Sequence, residues 1–315
     1  MSRGGRLGLT SPCHSCAAAA ALILFGGLAS STFAQELVPA AYTPAPSGVN
    51  LVTITSAYNS GDVTFDPALP IENASARIVA SMVGYARTFG FVGRAANIGV
   101  IVPYIRGELE GLLLGEPAQA ERSGSGDLGV RFGVNLFGVP AMGPKEFSTF
   151  RPRTLVGVSI VVTAPTGQYN PTKAINIGTN RWAFKPEIGF VQVMNRWAVD
   201  AYVGGGFFTD NPDFFGGSTR EQSPIFSTQC HLRYLFRPGL WAAVDGNFWV
   251  GGQTTVDGIT NDDKQRNSRV GLTVSMRLGR SHSLRVAGSR GAITRIGGDF
   301  SSIGVSYGYS WMGKP

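Results

Sequence analysis

The sequence predicts an all-β protein, a transmembrane antiparallel up-and-down β-barrel of the outer-membrane type. Three observations support this fold: apolar and polar residues alternate with a period of two, the alternating runs are long, and their connections alternate between long and short. We expect about 12 strands, and a count of 10–14 is compatible with the pattern. The composition agrees, since only 15% of the 315 residues are charged and 43 are glycine, whereas about 25% of residues are charged in soluble domains.

The N-terminus has the features of an export signal. Arg3 and Arg6 precede a stretch of apolar and glycine residues at 17–29, and a small-residue motif ends at Ala34. A basic start, a short apolar centre and a small-residue end predict a cleaved signal peptide over residues 1–34. We expect residues 35–49 to form a periplasmic N-terminal segment and residues 50–315 to form the barrel.

The period-two pattern predicts the strands one by one. In the last run, Ile303, Val305 and Tyr307 alternate with glycine and serine, as expected when successive side chains point to opposite faces of a sheet. The runs lie at 50–58, 76–89, 95–106, 126–138, 154–164, 181–193, 197–209, 224–236, 240–252, 267–279, 282–290 and 300–312. Soluble strands typically have about 5–6 residues, and a tilted membrane-crossing strand needs about 9–11. Strand length therefore favours a membrane barrel over a soluble sandwich or propeller.

The connections predict which end faces outward. Outer-membrane barrels have short periplasmic turns and longer external loops. With a periplasmic N-terminus the odd-numbered connections are external, and these are the long ones. We expect the loops at 107–125, 165–180 and 210–223 to gate the lumen. The exception, a long even-numbered connection at 139–153, is expected to be a small periplasmic flap.

The two faces of the strands predict a polar lumen and a lipid-facing surface with aromatic girdles. The alternation predicts that the polar residues of the strands face the lumen. In the run at 76–89 these include Arg77 and Arg87. The predicted lumen-lining residues on the later runs are Arg131, Asn135, Lys185, Glu187, Asp200, Gln229, His231, Arg233, Asp245, Asn247, Arg269, Arg277 and Arg285. The predicted girdle comprises Trp182, Trp197, Tyr234, Phe236, Tyr309 and Trp311. The inward charges either pair across the lumen and plug it, or line a wet pore that favours anions because basic residues outnumber acidic ones.

No catalytic motif, metal site or cofactor is predicted. The G-x-G-x-x-G match at 124–129 opens a strand, whereas a dinucleotide site needs a strand before it and a helix after it. His231 has Asp245 on the neighbouring strand, which leaves a barrel-type lipid hydrolase as an alternative. Basic residues are scattered singly, which argues against nucleic acid. The expected partners are outer-membrane lipid and lipopolysaccharide, the barrel-assembly machinery and a small-molecule permeant.

Four segments resemble one known family. They are Leu-Pro-Ile-Glu-Asn-Ala at 69–74, Pro-Thr-Gly-Gln-Tyr at 165–169, Asn-Arg-Trp-Ala-Phe-Lys-Pro-Glu at 180–187 and Thr-Asp-Asn-Pro-Asp-Phe at 209–214. The chain resembles the outer-membrane proteins grouped as the putative MetA-pathway of phenol degradation family. The resemblance implies an outer-membrane barrel and uptake of aromatic or other small hydrophobic compounds. It carries over no functional residues.

Together these features predict passive or facilitated passage of small molecules through a narrow polar lumen. A closed barrel with a structural or adhesive role is the main alternative. The strand pattern alone does not separate these functions, because fold does not fix function.

Overall fold

A computed structural model describes residues 37–64, 71–113, 115–173 and 175–313; the predicted signal peptide, 1–34, lies outside these ranges. The elements are β1 (Val49–Thr64), β2 (Ile71–Phe91), β3 (Arg94–Leu113), β4 (Glu116–Ser125), β5 (Leu128–Phe137), α1 (Pro144–Thr149), β6 (Thr154–Ala164), β7 (Ala183–Met194), β8 (Trp197–Phe208), β9 (Asn211–Phe214), a 3₁₀ turn (Phe215–Gly217), β10 (Ser218–Gln222), β11 (Ile225–Arg237), β12 (Leu240–Gly251), β13 (Thr254–Val256), β14 (Ile259–Thr260), β15 (Gln265–Leu278), β16 (His282–Ile293) and β17 (Gly297–Met312).

The large sheet closes on itself as a barrel. Its order is β2-β1-β17-β16-β15-β12-β11-β8-β7-β6-β5-β3, with β2 also paired to β3, and every neighbouring pair is antiparallel. Strand β3 pairs with β5 over one half of its length and with β4 over the other, so β4 and β5 together fill one position. The prediction of a twelve-stranded antiparallel barrel is therefore confirmed.

The barrel has a turn end and a loop end. Four tight connections lie at the turn end, at 92–93, 195–196, 238–239 and 279–281. Positive φ angles at Asn195 and Gly239 allow two of these reversals. The segment 138–153, which contains α1, joins the same end, because Pro140 forms a bridge with Arg94. The loop end carries the long connections.

The loop end differs from the prediction at residues 107–125. This segment is not a gating loop, since β3 and β4 pair along it from Tyr104 with Ser125 to Leu113 with Glu116. The extended hairpin carries charge on its outer face, where Arg106 and Glu121 form an exposed ion pair at 2.8 Å. Charged outer positions obscured the apolar alternation that marks strands within a bilayer, and this made the segment resemble a loop.

The connections at 209–224 and 252–264 form a second, smaller sheet at the loop end. Its order is β14-β13-β10-β9, and we call it the loop sheet. Asp263 joins the two ends of the connection 252–264 by accepting hydrogen bonds from the Thr254 backbone N–H (2.8 Å) and hydroxyl (2.6 Å). The predicted gating loop at 210–223 is thus an ordered sheet.

The outer face of the barrel is apolar. Large side chains such as Leu272 (63% exposed) and Val244 (58% exposed) cover it, an exposure that a lipid-facing surface explains.

Two residues that the sequence placed in the lumen lie on the outer face instead. Residues that pair directly across two antiparallel strands share a face of the sheet. Arg87 pairs with Asn50 and Arg77 pairs with Ser60, on the outer parity of β1 and β2. The reason is that both faces of β2 carry apolar residues, so alternation did not distinguish them.

The predicted girdle residues are on the outer face. Trp197, Tyr234 and Phe236 form an edge-to-face chain at the turn end, with ring centroids 4.8 and 5.0 Å apart. Tyr309 stacks on Trp311 at 5.7 Å at the same end. Trp182 is 46% exposed at the loop end. In the described parts of the chain, no helix is both long and apolar enough to cross a membrane.

Candidate functional site

The lumen is the candidate site, and the inner face of the strands builds it. All thirteen predicted lumen-lining residues fall on this face. Lys185 and Glu187 are nearly buried, and Arg131 is partly exposed. Arg277 is exposed at the turn-end rim, and Arg285 lies 5.5 Å from the ring of Trp241, which shares the inner parity. The buried members are Asn135, Asp200, Gln229, His231, Arg233, Asp245, Asn247 and Arg269.

Several charges on the inner wall are paired. Arg233 donates to Asp200 Oδ1 at 2.7 Å, across the pairing of β8 with β11. His231 Nδ1 lies 2.8 Å from Asp245 Oδ1, and the Thr273 hydroxyl donates to Asp245 Oδ2 at 2.6 Å. Side chains of neighbouring strands that lie opposite or diagonal to each other point to the same face of the sheet, which brings these residues into contact. Pairing is therefore one role of these lumen charges.

The N-terminal segment lies inside the barrel. Residues 37–48, which we call the lumen segment, contact the inner wall through their backbone. The N–H groups of Val38, Ala40 and Ala41 donate to Gln229 Oε1 (3.1 Å), Asp200 Oδ2 (2.9 Å) and Tyr202 Oη (3.1 Å), respectively. The sequence predicted a periplasmic segment at 35–49; these contacts instead place its described part in the lumen.

Tyr42 anchors the lumen segment. Its ring is 4% exposed and packs edge-on against Tyr202 with centroids 5.2 Å apart. Its hydroxyl bonds with the Ser159 hydroxyl at 3.0 Å and donates to Glu187 Oε1 at 3.2 Å. A Cβ at Gly189 would lie 2.8 Å from Tyr42 Cζ and closer still to two other ring atoms. The glycine therefore leaves the space that the ring occupies.

The segment 138–153 closes the turn end beneath the lumen segment. Val139 is fully buried in one cluster with Tyr42, and Met142 and Phe150 pack against that cluster. The Ser47 N–H donates to the Met142 carbonyl at 2.8 Å. The flap predicted at 139–153 thus holds the lumen segment from the turn end.

One inner wall is apolar. Val63, Ala76 and Phe300 form a buried cluster on the inner parity of β1, β2 and β17, with Ile78 and Leu109 packed against it. Ile101, on the inner parity of β3, remains 42% exposed. The lumen therefore has a polar side, from β7 to β15, and an apolar side, from β1 to β3. The sequence analysis predicted a polar lumen and missed this division.

Two arginines lie buried at the loop end. Arg181 is 3% exposed, lies 4.5 Å above the Phe208 ring and donates to Gln222 Oε1. Arg220, on β10, is 4% exposed and lies 5.3 Å above the Phe214 ring. Burial, together with the nearby charge of Arg220, lowers the pKa of Arg181 to about 9, and burial lowers the pKa of Arg220 to about 10. Neither residue was predicted from the sequence to line the lumen.

The arrangement around His231 does not assemble a hydrolase triad. Cys230 is exposed on the opposite face of β11, and within the described ranges no serine hydroxyl hydrogen bonds with His231. Across the same ranges, no group of three His, Cys, Asp or Glu side chains is placed to hold a metal ion.

Comparison with solved structures shows the fold. An outer membrane channel from Pseudomonas putida F1 superposes with a TM-score of 0.76 at 21% identity, covering 88% of this chain and 100% of that chain. The transport unit of the autotransporter AIDA-I from Escherichia coli superposes with a TM-score of 0.52 at 9% identity, covering 95% and 98%. A comparison with curated proteins finds no significant match.

The family model described as "Putative MetA-pathway of phenol degradation" matches residues 55–292. This match covers the barrel from β1 to β16, and it includes all four of the segments that carry the resemblance. The chain therefore belongs to the putative MetA-pathway of phenol degradation family.

Proposed function

We propose that the protein is an outer-membrane channel for small molecules, without enzymatic activity, and that the lumen segment is its gate. The observation that carries the proposal is the occupancy of the lumen by residues 37–48. A barrel that served only as a surface support would need no lumen for such a segment to fill. The similarity to an outer membrane channel of Pseudomonas putida agrees with this function.

The contacts of the lumen segment suit a gate. Hydrogen bonds and one aromatic anchor join it to the wall, and the chain continues directly from it into β1. Individual hydrogen bonds contribute about 0.5–1.5 kcal/mol net, so a few of them hold the segment without making its release prohibitive. The paired wall charges keep their partners when it leaves, since Arg233 and Asp200 bond to each other.

The chemistry of the lumen indicates the permeants. The apolar side around Ile101 accepts hydrophobic surface, and the polar side accepts hydrogen-bonding groups, as in ligand sites generally. Small aromatic compounds with a polar substituent match both sides. The family's association with phenol degradation agrees with this class.

A closed structural barrel is the second candidate, and the pairing of Asp200 with Arg233 and of His231 with Asp245 favours it. Single-channel conductance in a planar bilayer separates the two. We expect low conductance from the wild type and several-fold larger steps after deletion of residues 37–46. In the open variant Lys185→Glu should shift the selectivity toward cations, because Lys185 lies on the inner wall.

A folded, heat-modifiable deletion variant that gives no conductance would reject the gated channel and favour the closed barrel. The deletion leaves β1 intact from Val49, so barrel closure is retained. Flux of phenol into liposomes, measured with the same two proteins, tests the permeant class separately from ion passage.

A further inference from the structure

The loop sheet carries a buried cation that forms no ion pair within the described part of the chain. Arg220 is 4% exposed, and its Nε has no hydrogen-bond partner in the described part of the chain. Across the same residues, none of the ion pairs within 4.0 Å includes Arg220. A buried charge of this kind normally has a partner, because its desolvation is otherwise uncompensated.

Asp263 acts on the charge of Arg220 and Asp127 acts on that of Arg181, but both carboxylates already accept hydrogen bonds from other groups. Asp263 accepts from the N–H and the hydroxyl of Thr254. Asp127 accepts from the N–H groups of Gly167 and Thr179 (both 2.8 Å) and from the Thr179 hydroxyl (2.6 Å). Neither carboxylate forms an ion pair with Arg220 within 4.0 Å. The charge of Asp263 raises the pKa of Arg220 only from beyond that distance, so the described chain supplies no direct counter-ion at this position.

Positive charge at this position adjoins an apolar surface. Arg220 lies over Phe214, and Arg181 lies over Phe208. Phe208 in turn packs against Ile225 and Trp249 on the inner wall. Arg181 therefore borders a patch of aromatic and aliphatic side chains on the inner wall, and Arg220 lies near enough for its charge to lower the pKa of Arg181.

We propose that Arg220, with Arg181, forms a binding site for a small molecule that combines a carboxylate with an aromatic or aliphatic body. A guanidinium presents parallel N–H donors that match a carboxylate. The carboxylate supplies the close counter-ion, and the apolar body rests against Phe208, which is partly exposed. This inference rests on the proposed channel function only in naming the ligand as a permeant.

Isothermal titration calorimetry on the purified, folded protein tests the site. The probes are benzoate, benzyl alcohol as its neutral counterpart, and inorganic phosphate. We expect benzoate to bind about tenfold more tightly than benzyl alcohol, since charge-assisted hydrogen bonds are about twice as strong as neutral ones. Arg220→Gln should remove this difference and leave benzyl alcohol binding unchanged.

Arg295→Gln is the matched control, because Arg295 is also at the loop end but is exposed and paired with Asp262 at 2.7 Å; it should bind benzoate like the wild type. Equal binding of benzoate and benzyl alcohol by the wild type would overturn the proposal, even if Arg220→Gln does not fold. So would unchanged benzoate binding by folded Arg220→Gln. Phosphate binding as tight as that of benzoate would indicate a site that recognises only the negative charge. That result would overturn the proposal that the ligand also needs an apolar body.

Calorimetry measures binding without any passage through the barrel. The binding-site proposal and the channel proposal can therefore be contradicted independently. A protein that conducts after deletion of residues 37–46 but does not bind benzoate contradicts this inference alone. A protein that binds benzoate and never conducts contradicts the channel alone.

Discussion

Substitution of Gly189 by alanine should expel the lumen segment from its position. The new Cβ would lie 2.8 Å from Tyr42 Cζ and closer still to two other ring atoms, well inside van der Waals contact. The ring cannot move away easily, because Tyr202 packs against it and Ser159 and Glu187 hold its hydroxyl. The φ angle of Gly189 is not positive, so alanine fits the strand backbone and the strain falls on the segment.

Overpacking of this kind costs about 1–3 kcal/mol. The lumen segment is either bound in the lumen or displaced from it. If the cost falls only on the bound state, the fraction of molecules with a displaced segment rises about 5- to 150-fold. The assay is the rate at which a thiol reagent labels Ala41→Cys, in a background where the exposed Cys230 is replaced by serine. Labelling should accelerate by that factor, because Ala41 packs in the cluster around Tyr42 while the segment is bound.

Gly129→Ala is the matched control for this experiment. Gly129 is also on the inner parity of the wall, but a Cβ there would meet nothing within 4 Å. Its labelling rate should equal that of the parent. Equal rates for Gly189→Ala and Gly129→Ala, in folded barrels, would refute the argument that the ring fills the space left by Gly189.

Three further predictions concern charges. Asp200→Ala leaves Arg233 buried without its partner and should lower the unfolding free energy by about 3–5 kcal/mol, measured from urea midpoints; an unchanged midpoint would contradict the pairing at 2.7 Å. Glu121→Ala removes an exposed pair with Arg106 and should change the same midpoint by less than about 1 kcal/mol, so a large loss would show that the hairpin depends on it. Hydrogen bonding from the Thr219 N–H lowers the pKa of Asp257. The Asp257 carboxylate therefore stabilises the loop sheet fully above its unfolded-state pKa, and this stabilisation is lost as the pH falls through the lower folded-state pKa. Amide protection of Thr219 against hydrogen exchange should fall on acidification in the wild type, and an equal fall in Asp257→Asn would exclude this carboxylate as the cause.

The strands and their faces could be predicted because parity is a local property. His231 and Asp245 lie on the inner face for the same reason that Leu232 and Val244 lie on the outer one, and no knowledge of the tertiary structure is needed. The same reasoning failed at Arg77 and Arg87, where the inner wall is itself apolar and alternation carries no signal.

The lumen segment could not be predicted in this way. Its partners are distant in sequence, since 191 positions separate Val38 from Gln229 and 145 separate Tyr42 from Glu187. Its own sequence lacks a period-two pattern. The facing glycines Gly157 and Gly189 are the local trace of the Tyr42 ring, but a glycine within a strand equally marks a bulge or a bend, so it does not by itself reveal a ring packed against it.

The pairing of β1 with β17 constrains how the molecule is assembled. This seam joins Val49 to Met312 and continues to Thr64 and Gly297, so the first and last strands meet only after the whole chain has been delivered. The lumen segment directly precedes β1, and the barrel wall around it is complete only after this seam forms. A C-terminal truncation that removes β17 would therefore leave two unpaired edges and an uncovered N-terminal segment, and such a chain should be degraded as an assembly intermediate rather than accumulate as a smaller barrel.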